Sequence, residues 1–145
     1  MARSVKSARK RGTKKEVERQ ALYAAECCLE KKAEEVVVLD LKKLSDMSDF
    51  FVICEGFTDI HVRSVAENVI EGLEKKFSSR PNHVEGLENG RWVLIDYFDF
   101  VVHVFQPQAR RFYQLERLWA DAPVRRVEDN PQARAPEGTG DSSRA

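Results

Sequence analysis

The apolar positions change period several times along the chain, and each change marks an element. Val17, Ala21, Ala24, Ala25, Cys28 and Leu29 recur at intervals of three and four, which predicts an amphipathic helix over 16–32. Glu35-Val-Val-Val-Leu-Asp-Leu41 is a β-rich apolar run, the pattern of a buried strand. A polar connector, Leu44-Ser-Asp-Met-Ser-Asp49, leads to a second strand, Phe50-Phe-Val-Ile-Cys54, closed by Gly56. Thr58 or Asp59 caps the next helix, whose inward stripe is Val62, Val65, Ala66, Val69, Leu73 and Phe77. Pro81 ends that unit, His83-Val-Glu85 predicts a short strand, and Asn89-Gly90 predicts a tight turn. Strands over 91–97 and 100–105 lie so close in sequence that they should form an antiparallel hairpin. Pro107 suits the first turn of a last helix, with Phe112, Leu115, Leu118 and Trp119 as its apolar face. Helices and antiparallel pairs mix, so the predicted class is mixed α/β in an α+β arrangement.

The two ends break the pattern. Residues 1–15 have almost no large apolar side chain beyond Val5, and Pro123, Pro131, Pro136, Gly138 and Gly140 punctuate residues 120–145. Neither stretch can bury enough surface to offset its ordering entropy. The division predicted is a basic disordered arm, 1–15, a folded body, 16–119, and a flexible tail, 120–145. Charge follows the same division. The 24 basic and 24 acidic residues balance overall. Yet Arg3, Lys6, Arg9, Lys10, Arg11, Lys14 and Lys15 give the arm +7, while 13 bases and 19 acids give the body −6. Composition, at 42% hydrophobic and 33% charged, is that of a globular chain. No apolar stretch approaches the ~20 residues of a membrane span, and the N-terminus lacks the apolar core of a secretory signal. Cys27, Cys28 and Cys54 show no Cys-x-x-Cys spacing and fit a reduced, cytoplasmic setting.

Few residues suggest chemistry. His61, His83 and His103 fall in different elements, and Cys27 and Cys28 point about 100° apart on a helix, so no metal site is predicted. There is no Gly-x-Ser-x-Gly elbow, and Gly56 alone before a helix cap is not a phosphate-binding fingerprint, so no cofactor is predicted. Asp96 and Asp99 bracket the hairpin turn. With Asp40, and Asp49 as a further carboxylate, they form the one arrangement that could hold Mg²⁺. They carry the alternative reading, a nucleotidyltransferase or metal-dependent phosphate-transfer enzyme, against the ordinary use of Asp in turns. Binding is the stronger theme. Alternation separates Trp92, Leu94 and Asp96 from Val93, Ile95 and Tyr97, and Phe100, Val102 and Val104 from Val101, His103 and Phe105. Both faces are apolar, which calls for burial on both sides or for a partner, with Trp92 and Tyr97 as candidate anchors.

Several ordered motifs resemble the ribosomal silencing factor, or Iojap-like, family. They are Lys32-Ala-Glu-Glu-Val-Val-Val-Leu-Asp40, Leu44-Ser-Asp-Met-Ser-Asp-Phe-Phe-Val-Ile53, Val84-Glu-Gly-Leu-Glu-Asn-Gly-Arg-Trp-Val-Leu-Ile-Asp-Tyr97 running on into Val101-Val-His-Val-Phe105, and Arg111-Phe-Tyr-Gln-Leu-Glu-Arg-Leu-Trp119. The resemblance covers the whole body and leaves out both tails. It implies a nucleotidyltransferase-like fold, a mixed sheet flanked by helices, without transferase activity. The implied partner is protein fourteen of the large ribosomal subunit, on the face that meets the small subunit, so that the bound factor blocks subunit joining and represses translation. Trp92, Leu94, Asp96, Tyr97, Asp99 and His103 match the family's hairpin region and are the expected contact residues. The resemblance leaves a homodimer of the free protein open, and the basic arm is a candidate for contact with ribosomal RNA. Two departures stand out: Phe98 occupies a turn position where the family often has Gly, and Thr58 replaces its usual Ser.

Overall fold

The structure, a computed structural model, describes residues 13–128. Thr13 opens the first helix, α1 (Lys14–Glu30), its hydroxyl oxygen accepting the Glu16 amide at 3.1 Å. The helix therefore begins two residues before the predicted boundary, and Lys14 and Lys15 lie in its first turn rather than in the arm. Residues 1–12 fall outside the described residues. Strands β1 (Glu34–Asp40) and β2 (Phe50–Glu55) pair antiparallel. Helix α2 (Asp59–Phe77) starts at Thr58, whose hydroxyl accepts the His61 amide at 3.0 Å, and stops at Ser78 in the left-handed conformation (φ +55°). Then come β3 (His83–Glu85), β4 (Trp92–Asp96) and β5 (Phe100–Phe105), followed by two short helices, α3 (Pro107–Tyr113) and α4 (Leu115–Leu118), and β6 (Val124–Arg126).

The six strands form one sheet in the order β3-β4-β5-β2-β1-β6. Every neighbouring pair is antiparallel except β2 and β5. The mixed α+β class is as predicted. The sheet separates two apolar clusters. On the first face, α1 and α2 cover Val36, Val38, Val52, Cys54, Val93, Ile95, Val102 and Val104. Small residues bring the two helices together: a Cβ on Gly72 would stand 2.6 Å from Cys27 Sγ. On the second face, residues 107–122 cover Val37, Leu39, Leu41, Ile53 and Phe105. All six residues of β5 are buried, as expected for a strand covered on both sides.

Two expectations need correction. The C-terminal stretch does not all lie in a tail. Ala122 is buried, and Val124, Arg125 and Arg126 pair with Leu39, Val38 and Val37 of β1. The amides of Asp40 and Val127 close the ends of this pairing on Pro123 O and Val36 O, both at 2.9 Å. Edge pairing uses backbone groups, so a count of apolar side chains does not register it. Residues 129–145 fall outside the described residues. The last helix, too, is not continuous. Gln114 takes a left-handed φ of +47°, splitting it into α3 and α4. Leu115 and Trp119 pack inward as predicted, but Phe112 and Leu118 point outward, 78% and 72% exposed.

Candidate docking surface on the second sheet face

Strand register lays out the second face row by row, because residues opposite one another share a side. One row runs Glu85, Leu94, His103, Ile53, Val37. The next toward the hairpin turn runs His83, Asp96, Val101, Phe51, Leu39. The cover supplied by residues 107–122 lies over β1, β2 and β5. The part nearer β3 and β4 stays open, and Trp92, Leu94 and Asp96 are half-buried there.

Trp92 stands at the boundary between covered and open sheet. Its indole stacks on Phe105 (centroids 4.9 Å, interplanar angle 27°) and leans on Tyr113 from α3 at 4.6 Å. Its Nε1–H donates to His103 Nδ1 at 3.1 Å. On the backbone side, Gly86 at φ +89° passes so close to β4 that a Cβ would collide with the Trp92 carbonyl oxygen. Tyr113 continues outward to Phe112, edge to face at 5.0 Å. The result is an exposed ridge of Phe112, Tyr113, Trp92 and Leu94, with the carboxylates of Glu85 and Asp96 along the β3–β4 side.

One buried cation fixes the cover that carries Tyr113. The Arg110 side chain is 9% exposed. Its guanidinium donates to Glu35 O (2.8 Å), Glu55 Oε2 (3.3 Å) and Glu116 Oε2 (2.7 Å), joining α3 and α4 to β1 and β2. Burial raises the Glu55 carboxyl above its ordinary range, and Arg110 opposes that rise.

The predicted site residues do not all meet on this face. Trp92, Leu94, Asp96 and His103 do. His103 is buried beneath Trp92 and Phe51, 4.6 Å from the Phe51 ring, and burial lowers it to about 3, so it is neutral. Tyr97 faces the other way: alternation sends it under α1 and α2, where it is 6% exposed and stacked on Phe100 at 4.9 Å. Burial pushes its hydroxyl upward in pKa, and that oxygen has no hydrogen-bond partner among the described residues. The expectation of Tyr97 as an exposed anchor is therefore corrected. Asp99 is half-buried in the turn, its amide bonded to Tyr97 O at 2.9 Å. Phe112 and Tyr113 were not anticipated as surface. Two adjacent aromatics in a helix of only seven residues cannot share one inward face, which was the available signal.

The carboxylates of the enzymatic alternative do not converge. Asp96 Oδ1 accepts the Phe98 amide at 2.8 Å, and Asp40 pairs with Lys42. Asp40 and Asp96 belong to β1 and β4, with β2 and β5 between them, roughly 14 Å of sheet. Among the described residues no group of three or more His, Cys, Asp and Glu side chains could hold a metal ion. Nor is any helix among them long and apolar enough to cross a membrane. Cys27, Cys28 and Cys54 are buried free thiols; burial pushes Cys27 up to about 12.

The family described as ribosomal silencing factor during starvation matches residues 14–145. The chain belongs to the ribosomal silencing factor family. It is 39% identical over 101 residues to the ribosomal silencing factor of Bacillus subtilis, a match covering 70% of this chain and 85% of that one. It is 42% identical over 99 residues to that of Halalkalibacterium halodurans, covering 68% and 84%. A crystal structure of a Chromobacterium violaceum protein aligns with a TM-score of 0.67 at 30% identity, covering 75% of this chain and 88% of the other. The ribosomal silencing factor match takes in α1 through β6, so the ridge and the cover that supports it lie within the family's own unit rather than on an added segment.

Proposed function

We propose that this silencing factor docks its Trp92–Leu94–Tyr113 ridge on protein fourteen of the large ribosomal subunit and blocks the small subunit by bulk. The observation that carries the reading is the ridge itself. Half-exposed Trp92 and Leu94 and exposed Phe112 and Tyr113 form a continuous apolar strip beside Glu85 and Asp96. Trp and Tyr dominate binding hot spots, and a carboxylate rim suits a basic ribosomal protein. Asp96 and Asp99 are the proposed partners for its Lys or Arg side chains.

The mechanism needs no bond made or broken. A body of this size has a radius of gyration near 13 Å and a diameter of roughly 30 Å. Subunits that must touch cannot close around an object that wide, so inhibition tracks occupancy. Ionic contact with ribosomal RNA by Arg3, Lys6, Arg9, Lys10 and Arg11 would add salt-dependent affinity.

Cosedimentation with purified large subunits, followed by subunit rejoining in sucrose gradients, tests the reading. Wild-type protein should pellet with large subunits and lower the yield of joined ribosomes. Trp92→Glu and Tyr113→Glu should do neither while keeping native circular dichroism. Unchanged cosedimentation of both variants removes the ridge from the interface. Loss of binding without any effect of the wild type on rejoining removes the steric mechanism. Deleting residues 1–12 should flatten the salt dependence of binding; an unchanged slope leaves the arm without a role in it.

A further inference from the structure

Two buried polar atoms lack a partner among the described residues, the Tyr97 hydroxyl and His103 Nε2, and only the second belongs to a side chain that touches the ridge. Its Nδ1 accepts the Trp92 indole N–H, so the ring proton sits on Nε2, and Nε2 is buried without a partner among the described residues. The ring lies between Phe51, Phe105 and Trp92, with centroids 4.6, 6.1 and 5.9 Å away. An unpaired N–H in such a box is unfavourable, and a Phe or Leu would fill the same space without that cost. The group requires a reason beyond packing.

We infer that His103 is a positioning residue for the docking ridge: it captures the indole N–H of Trp92 and so holds the ring in the orientation the partner meets. This inference rests on the docking reading above and deepens it. A half-exposed Trp has two free torsions and one polar atom. Left alone, that atom turns toward water and the ring follows. Anchored on His103, the ring is fixed from below by Phe105, from the side by Tyr113 and at its polar end by Nδ1. Fixing the ring before binding removes part of the ordering cost of association. A second consequence concerns specificity. The indole N–H is already used, so the partner reads Trp92 as an apolar plate rather than as a hydrogen-bond donor. The complementary surface must therefore offer aliphatic or aromatic contact over Trp92, with its cations displaced toward Asp96 and Glu85.

The test compares His103→Phe, which keeps an aromatic ring but no acceptor, with His103→Asn, whose Oδ1 replaces Nδ1. The first readout is solvent exchange of the Trp92 indole N–H by nuclear magnetic resonance in the full-length free protein. His103→Phe should expose that proton to exchange without lowering the melting temperature, and His103→Asn should restore protection. The second readout is cosedimentation with large subunits. His103→Phe should weaken binding about tenfold, the scale of a disturbed hot spot, and His103→Asn should recover most of that loss. An indole proton as protected in His103→Phe as in the wild type overturns the positioning role, whatever the ribosome shows. Protection lost but binding undiminished also overturns it, provided Trp92→Glu abolishes binding. If Trp92→Glu binds normally, Trp92 is not in the interface and this inference falls; if Tyr113→Glu binds normally as well, the docking reading falls with it.

Discussion

The two faces of the sheet are built from adjacent residues of the same strands and serve different ends. Under α1 and α2, Val93, Ile95, Val102 and Val104 are wholly buried and packed against helix stripes. On the opposite face their neighbours Trp92, Leu94 and Asp96 stay half-open. Each face buries one polar atom without a partner among the described residues, the Tyr97 hydroxyl on the first and His103 Nε2 on the second. The cover of the second face is two short helices, packed through Ala109, Leu115 and Trp119 and tied down by Arg110, rather than two long ones with continuous buried stripes. The difference makes the first face the closed core of the fold and leaves the second as the face we propose for docking.

The largest effects should separate the faces cleanly. Ile95→Ala opens a cavity under the helices and should cost about 4 kcal/mol of unfolding free energy. The fraction that remains folded should bind large subunits with unchanged affinity. Trp92→Glu should do the reverse, abolishing binding with a much smaller loss of stability. Chemical denaturation and cosedimentation on both variants give four numbers, and a large binding defect in folded Ile95→Ala would break the comparison.

Arg110→Met probes the seam between the faces and their cover. Removing the guanidinium strands Glu55 in a site that already raises its carboxyl pKa, and frees α3 from Glu35 O on β1 and from Glu116 on α4. The expected cost is about 3 kcal/mol, typical of breaking one side of a buried ion pair. Because Tyr113 rides on α3, binding should weaken as well. Arg110→Met is thus the substitution expected to damage both properties, and a loss of stability alone would show that the ridge does not depend on its cover.

Acid should act through the second face. His103 is lowered to about 3 by burial, from an ordinary value of 6.5. Its folded form refuses a proton that the unfolded chain accepts, so stability is full above about pH 6.5 and falls as pH drops toward 3. At pH 5 the loss is about 2 kcal/mol. Denaturation midpoints across pH 7 to 5 should slope accordingly in the wild type, and the slope should shrink in His103→Phe.

The first face was legible in the sequence almost residue by residue, because its information lies in periodicity. Val62, Val65, Ala66, Val69 and Leu73 repeat at helical spacing, and all are buried. The second face was legible in part. Strand alternation placed Trp92, Leu94 and Asp96 together, but the same alternation puts Tyr97 with Ile95 under the helices, whereas residue type and the resemblance had both grouped it with Trp92. Three features were hidden for physical reasons. The pairing of β6 is made by backbone groups, the break at Gln114 is a single left-handed residue with no glycine to announce it, and the Arg110 anchor joins residues up to 75 positions apart.

The turn that joins the two hairpin strands offers the smallest and most local test. Phe98 stands at φ +82°, and the Asp99 amide bonds back to Tyr97 O at 2.9 Å, an i to i+2 closure of the rare positive-φ kind. Glycine adopts that backbone freely, whereas a side chain there is strained. Phe98→Gly also removes a half-buried ring, so the proper reference is Phe98→Ala, which removes the ring and keeps the strain. Phe98→Gly should be more stable than Phe98→Ala by about 1 kcal/mol, the relief of the turn less the extra freedom glycine gives the unfolded chain. Because Asp96 caps this turn through the Phe98 amide, equal stability of the two variants would mean that the cap and the Ser48 hydroxyl on Phe98 O already hold the backbone without measurable strain. It would also mean that the acidic end of the ridge tolerates a bulky turn residue at no cost to the strands on either face.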